Sequence, residues 1–218
     1  MKTKLVIQEN KERYIKLNLG CGSQVPDGWI NVDYALGARF MKIPFFSIFN
    51  RKVKLFDLDW NEKIFLHDLN KKFPWANSSI SAIYSSHTLE HFSKKDGLRF
   101  LTECHRVLRQ NGIIRIVVPD LRHDITEYIK GQIYADDFIE KLGVLYGNSN
   151  SALKKKMYPF FQFPHKCMYD SPRLTEILNK IGFIASSRAA FDSDIEEIRM
   201  VELEGRTENA VIAEGRKY

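Results

Sequence analysis

The apolar run from Tyr14 to Leu19 stops at Gly20-Cys21-Gly22, and this stop constrains the fold more than any other stretch. Two glycines let the backbone turn sharply and leave no side chain between main chain and ligand. An α/β protein opens a nucleotide crevice in this way, at the carboxyl end of its first strand. The third glycine of the dinucleotide pattern is missing, because position 25 is Val25. Val25-Pro26-Asp27-Gly28 reads as a tight turn, and Trp29 to Val32 as a second strand ending at Asp33. The gap from Gly22 to Asp33 is too short for a full helix.

Further strands are expected over Ile64–Leu66, ending at His67-Asp68, and over Ile80–Tyr84, ending at Ser85-Ser86-His87. Ser93 caps a helix running to Arg109, with Leu98, Leu101, Cys104 and Leu108 on one face. Asn111-Gly112 reads as its left-handed stop. Ile113 to Val118 is a near-continuous β-branched run, the pattern of a parallel strand buried on both faces. Residues 125–145 read as helical. Ser171-Pro172 starts a helix that stops at Gly182, because proline suits the first helical position. Residues 183–191 and 210–213 read as the last two strands, joined by an acidic connection. This alternation predicts an α/β fold, a doubly wound and mostly parallel sheet.

The chain has 218 residues and 44% hydrophobic content, enough for one well-filled core over residues 1–218. Its formal charge of +6 suits anionic partners or plain solubility. Cys21, Cys104 and Cys167 lack metal-type spacing and read as reduced thiols of a cytoplasmic protein. No apolar run is long enough for a membrane span. Two stretches, within 35–60 and 121–170, read as insertions. Each carries aromatic and basic residues over a run without acids: none occurs between Tyr34 and Phe56, nor from 151 to 169. They read as edge covers or as surfaces for a lipid-linked anion or a membrane, and residues 37–54 and 151–169 are expected to adjoin over the acceptor side.

Glycine turn, Asp33 and Asp68 each follow an apolar run, so all three face one crevice. A carboxylate after the second strand accepts hydrogen bonds from ribose hydroxyls. One after the third meets an exocyclic amine, with Leu69 beside the base. On Leu17-Asn18-Leu19-Gly20-Cys21-Gly22, Asn31-Val32-Asp33, His67-Asp68-Leu69, residues 83–91 and residues 106–116, in that order, the chain resembles the class I S-adenosylmethionine-dependent methyltransferases. Within them it is most similar to bacterial members associated with surface-polysaccharide genes.

The resemblance implies a Rossmann-like methyltransferase fold of seven strands with an antiparallel last strand, and S-adenosylmethionine as cofactor. It implies cofactor binding at Gly20, Cys21, Gly22, Asp33, Asp68, Leu69, Ser85, Ser86 and His87. The helix that usually follows the glycine turn is curtailed, so its support for the cofactor carboxylate must come from elsewhere. A hydroxyl acceptor benefits from a base, and the candidates are His87, Asp120 and His165. Lys166 and Arg173 are candidates for holding an anionic substrate. His87-Thr88-Leu89-Glu90-His91 has the spacing of inverted zinc peptidases. Its place at a strand end argues against that, so no metal is expected, and Glu90 and His91 are expected to do structural work.

The expected activity is O-methylation of a small or glycan-type acceptor. Rivals are a non-catalytic cofactor-binding partner module and a nicotinamide-dependent oxidoreductase, the latter disfavoured by Val25 and the short gap. Nucleic acid is not favoured as a partner, since the basic stretches read as loops.

Overall fold

A computed structural model describes residues 14–40, 42–43, 61–145 and 163–218. The strands are β1 Lys16–Leu19, β2 Trp29–Asp33, β3 Phe65–Leu66, β4 Ile80–Ser86, β5 Leu108–Pro119, β6 Phe183–Ser187 and β7 Ala210–Lys217. The helices are α1 Leu36–Phe40, α2 Lys94–Val107, α3 Leu121–Ile129, α4 Ala135–Lys141, α5 Ser171–Ile181 and α6 Glu204–Thr207. All seven strands join one sheet in the order β3-β2-β1-β4-β5-β7-β6. β1 to β5 pair in parallel, and β7 runs antiparallel to both β5 and β6. The expected α/β architecture is therefore present. The strand order reverses between β1 and β4, where an open α/β sheet forms its crevice.

Helices cover one face of the sheet. Phe100, Leu101, Cys104 and Val107 of α2, with Leu174 and Leu178 of α5, pack on Leu17, Leu19, Ile83, Ile114 and Ile116 in one buried cluster. Each such side chain contributes about 2 kcal/mol of apolar burial. Ser93 caps α2 as expected, its Oγ accepting from the Asp96 N–H at 3.2 Å. Leu98 departs from expectation and is 52% exposed. The inward stripe runs through Gly97, Leu101 and Cys104, and Leu98 sits one residue, about 100°, around the helix from it. Asn111-Gly112 also differs from expectation. Asn111 does have φ +61°, but α2 has already ended at Val107 and the residue lies inside β5. There the pairing jumps from Ile80–Leu108 to Ala82–Ile113, leaving an irregularity between. The expected helix over 125–145 is two helices, α3 and α4. β6 is shorter than expected and β7 longer.

The other face has no helix between β1 and β2. Residues 20–28 alone connect this parallel pair, which usually needs a dozen residues or more. Side chains satisfy the short connection instead. Asn18 and Asn31 are register partners. Asn18 Nδ2 donates to Asn31 Oδ1 at 3.0 Å and to Gln24 O at 3.3 Å, while Asn31 Nδ2 donates to Pro26 O at 3.1 Å. The surface left uncovered, including Trp29, Tyr84 and Val117, is closed by Ile195, Ile198 and Val201 from the β6–β7 connection. A buried arginine pins that connection down. Arg115 of β5 donates to both oxygens of Glu202, to Glu214, and to the carbonyls of Ala189 and Asp192.

Most of the two basic-aromatic stretches falls outside the described residues, so their expected adjacency does too. Their described part includes Phe163 and Lys166, both in the cleft wall described next.

Candidate active site

A cleft of about 880 Å³ opens at the carboxyl ends of β1, β2 and β4. Its walls include the glycine turn, Asp33, Asp68, Leu69, Ser86 and His87, together with Phe163, Lys166, Val201, Leu203 and Arg206. Pockets of this size hold a ligand the size of a nucleoside.

The two glycines of the turn serve different ends. Gly20 has φ +73°, and a Cβ there would lie 2.0 Å from Thr88 Oγ1, so the residue makes room for Thr88 rather than for a ligand. Gly22 has φ +56°, and a Cβ there would meet nothing within 4 Å. Its backbone is the part of the turn left open. The Gly22 N–H donates to Asp33 Oδ2 at 2.9 Å, and the Ala35 N–H donates to Asp33 Oδ1 at 2.7 Å. Both oxygens are thereby fixed in direction and retain lone pairs for ligand hydroxyls. Burial pushes the Asp33 carboxyl up, against the pull of its backbone N–H partners. Cys21 lines the cleft but is no nucleophile, because burial, with Asp33 nearby, pushes its thiol up to about 12. Asp68 Oδ1 accepts from the Asn70 N–H at 3.0 Å.

The remaining predicted residues divide. Ser86 and His87 line the cleft, while Ser85 lies behind it, its Oγ donating to Leu19 O at 3.0 Å. That bond ties β4 to the end of β1. His87 has φ +50°, and its Nε2 sits 2.9 Å from Arg206 O. Burial holds the imidazole below its usual value, so it is neutral near pH 7. Lys166 lines the cleft, but Arg173 does not; it pairs with Glu176 at 2.6 Å on the exposed side of α5. Asp120 is likewise absent from the cleft wall. Its Oδ1 accepts from the Arg122 N–H at 3.0 Å, as the cap of α3. His165 stands one layer back, its ring 5.1 Å from that of the cleft-lining His91.

Sequence reasoning missed Arg206. It lies in an acidic connection, and nothing local marks it; the anchoring of that connection by Arg115 and by Ile195, Ile198 and Val201 brings it to the cleft. Sequence reasoning also passed over how Glu90 is placed. The residue is 0% exposed, and neither carboxylate oxygen has a hydrogen-bond partner among the described residues. Three imidazoles face Glu90 Oε1: His87 Nδ1 at 3.6 Å, His91 Nε2 at 4.0 Å and His165 Nε2 at 4.0 Å. Burial pushes Glu90 up to about 7, and burial, reinforced by His165, pushes His91 down to about 4.

Residues 17–116 match the family model of a methyltransferase domain, and the glycine turn, Asp33, Asp68 and the Ser86-His87 strand end all lie within the matched residues. No curated protein matches the chain significantly. Among solved structures, a SAM-dependent methyltransferase from Methanosarcina mazei is similar with a TM-score of 0.53 and 15% identity, over 95% of this chain and 94% of that one. A protein from Pyrococcus horikoshii is similar with a TM-score of 0.52 and 11% identity, over 94% of this chain and 82% of that one. At these identities the likeness is one of fold.

Proposed function

We propose that this chain is an S-adenosylmethionine-dependent methyltransferase, one domain throughout, that methylates a hydroxyl of a small or glycan-type acceptor. The observation that carries the reading is Asp33, a half-buried carboxylate held at the cleft by the Gly22 and Ala35 N–H groups. It lies within the matched methyltransferase domain. The residues present suit the cofactor: open backbone at Gly22, a directed carboxylate after β2, and Asp68 with Leu69 after β3 for the adenine. When bound, the cofactor supplies an electrophilic methyl group whose leaving group is a neutral thioether. The protein therefore needs no acid, and its work is to align the acceptor, exclude water and remove one proton.

His87 is the group for that proton. Its Nε2–H donates to Arg206 O, which leaves the lone pair on Nδ1, the nitrogen that also faces Glu90 Oε1 at 3.6 Å. Lys166 and Arg206 give the cleft wall positive charge, which favours an acceptor bearing phosphate or carboxylate. A sugar of a surface polysaccharide, or its carrier-linked precursor in the cytoplasm, has this chemistry. A lipid-linked acceptor would bring the protein to a membrane surface, although no helix among the described residues is long and apolar enough to cross one. Calorimetry tests the reading: wild-type protein is expected to bind S-adenosylhomocysteine, and failure to bind either it or S-adenosylmethionine overturns the assignment. Flotation with anionic vesicles at low and high salt tests the membrane contact.

A further inference from the structure

We propose that Glu90, His91 and His165 form a binding site for a divalent transition-metal cation, zinc first, directly behind the cleft wall, which His91 lines. Their ligand atoms all lie within 4.8 Å of one another. Two imidazoles and one carboxylate with an open fourth position are a donor set of zinc sites that act on a substrate. The grouping is not the one suggested by the His-x-x-Glu-His spacing. His87 stays outside the triad, and the second imidazole comes from His165, far along the chain.

The argument begins with lone pairs. His165 Nδ1 is 2.7 Å from Leu142 O, so it carries the proton and donates. Nε2 then presents a lone pair, and it faces Glu90 Oε1 at 4.0 Å. His91 Nε2 faces the same oxygen at the same distance. These separations are too long for hydrogen bonds, in accord with both Glu90 oxygens lacking a partner among the described residues. A fully buried carboxylate without donors is costly, and the His165 lone pair turned toward it adds repulsion. One cation at the centre removes both penalties. Ligand atoms of a tetrahedral zinc site lie roughly 3.3 Å apart, given bonds of about 2.0–2.1 Å, so a small contraction closes the site.

The scaffold is built for this approach. The N–H groups of Lys166 and Cys167 donate to Glu90 O at 2.7 and 3.1 Å, which clips the His165 segment onto the Leu89–His91 turn. The His165 N–H donates to Gly143 O at 2.8 Å, and a Cβ at Gly143 would sit 2.9 Å from the His165 ring. The bond from His165 Nδ1 to a carbonyl is the outer-shell anchor typical of metal-binding histidines. Arg206 opposes the cation, since its positive charge acts on Glu90. A second cluster, His123, Asp124 and Glu127, is set aside because Lys141 already neutralises both of its carboxylates. The site itself stands independently of the cofactor. Its role, acidifying an acceptor hydroxyl in the fourth position, rests on the methyltransferase reading.

The test uses the full chain, stripped with a chelator and titrated with Zn²⁺ by calorimetry without cofactor. One Zn²⁺ per chain is expected, with affinity reduced at least tenfold in both Glu90→Gln and His165→Ala and unchanged in His123→Ala. Co²⁺ in its place should give the visible absorption of a low-symmetry site, absent in His165→Ala. Should Glu90→Gln fail to fold, His165→Ala carries the test, because that side chain lies on a loop and thermal melts report its folding. No stoichiometric binding, or binding lost only in His123→Ala, overturns the proposal. S-adenosylhomocysteine binding by the metal-free protein is measured separately, so failure of the methyltransferase reading and failure of the metal site are told apart.

Discussion

The charge clusters around Arg115 and around Glu90 are both buried, and they are built in opposite ways. Around Arg115 every group is matched. The guanidinium has five N–H donors, and these reach two oxygens of Glu202, one of Glu214 and two backbone carbonyls. The carboxylates also accept from the Phe191 and Asp194 N–H groups. Around Glu90, equally buried, the carboxylate oxygens have no hydrogen-bond partner among the described residues, and imidazoles stand at 3.6–4.0 Å. The first cluster fastens the β6–β7 connection to the sheet and carries Arg206 to the cleft. The second borders the cleft itself. Full pairing marks a group that holds the fold, and unsatisfied burial marks one kept ready for something else.

The largest expected effect comes from breaking the paired cluster. Arg115→Met leaves Glu202 buried without a countercharge and Glu214 with Arg188 at 4.0 Å, and should cost about 3–5 kcal/mol in urea unfolding. Adding Glu202→Gln and Glu214→Gln should recover part of the loss, since the uncompensated charges go while the bonds from the Phe191 and Asp194 N–H groups remain. A cost below about 1 kcal/mol would mean that this cluster does not secure the connection.

Asp33 stands between the two extremes, half-buried, with its oxygens held by two backbone N–H groups but open to the cleft. Asp33→Ala removes the proposed ribose acceptor and frees the Gly22 N–H. S-adenosylhomocysteine affinity should fall on the order of a hundredfold, about 2.7 kcal/mol, measured by calorimetry. Unchanged affinity would separate Asp33 from the site and place it with the purely structural group.

How much of this was legible in the sequence depended on range. Local signals carried the strand order and one side of the cleft: the glycine turn, Asp33 after β2, Asp68 after β3, and the Ser93 cap. Contacts formed across long separations left no local mark. Arg115 sits in a β-branched run that reads as uniformly apolar, and its partners arrive from 74 to 99 residues downstream. Arg206 and His165 reach the cleft region for the same kind of reason. Leu98 was misjudged because one residue of helical phase separates an inward from an outward position. Asp120 followed a core strand and so resembled a crevice acid, yet its oxygen is taken by the first turn of α3.

A partly exposed pair gives the comparison a surface member. Arg106 grips Glu103 at 2.7 Å and the carbonyls of Phe73 and Trp75. Its hydrogen bond holds the Glu103 carboxyl below the ordinary 4.5. A lowered folded-state value means that the carboxylate stabilises the fold above pH 4.5 and that this contribution fades as pH falls through the folded value. Arg106→Gln should therefore cost about 1–2 kcal/mol at pH 7, and less once the pH has fallen below the folded value, where only the carbonyl contacts are still lost. A cost independent of pH would assign the clasp to those contacts alone.

The smallest expected effect on stability is the most discriminating. Glu90→Gln in metal-free protein exchanges an unpartnered buried carboxylate for a neutral amide of the same shape. Nothing paired is broken, so unfolding at pH 7 should shift by less than about 1 kcal/mol in either direction. Glu90 and Arg115 are equally buried, and a structural role for both would make the two variants equally damaging. If Glu90→Gln costs as much as Arg115→Met, then Glu90 is satisfied in solution by groups that the static arrangement does not reveal, and it joins Arg115 as part of the scaffold. If stability holds while turnover on a hydroxyl acceptor falls, the lack of partners around Glu90 is a property of the site, and the histidines gathered there serve chemistry rather than folding.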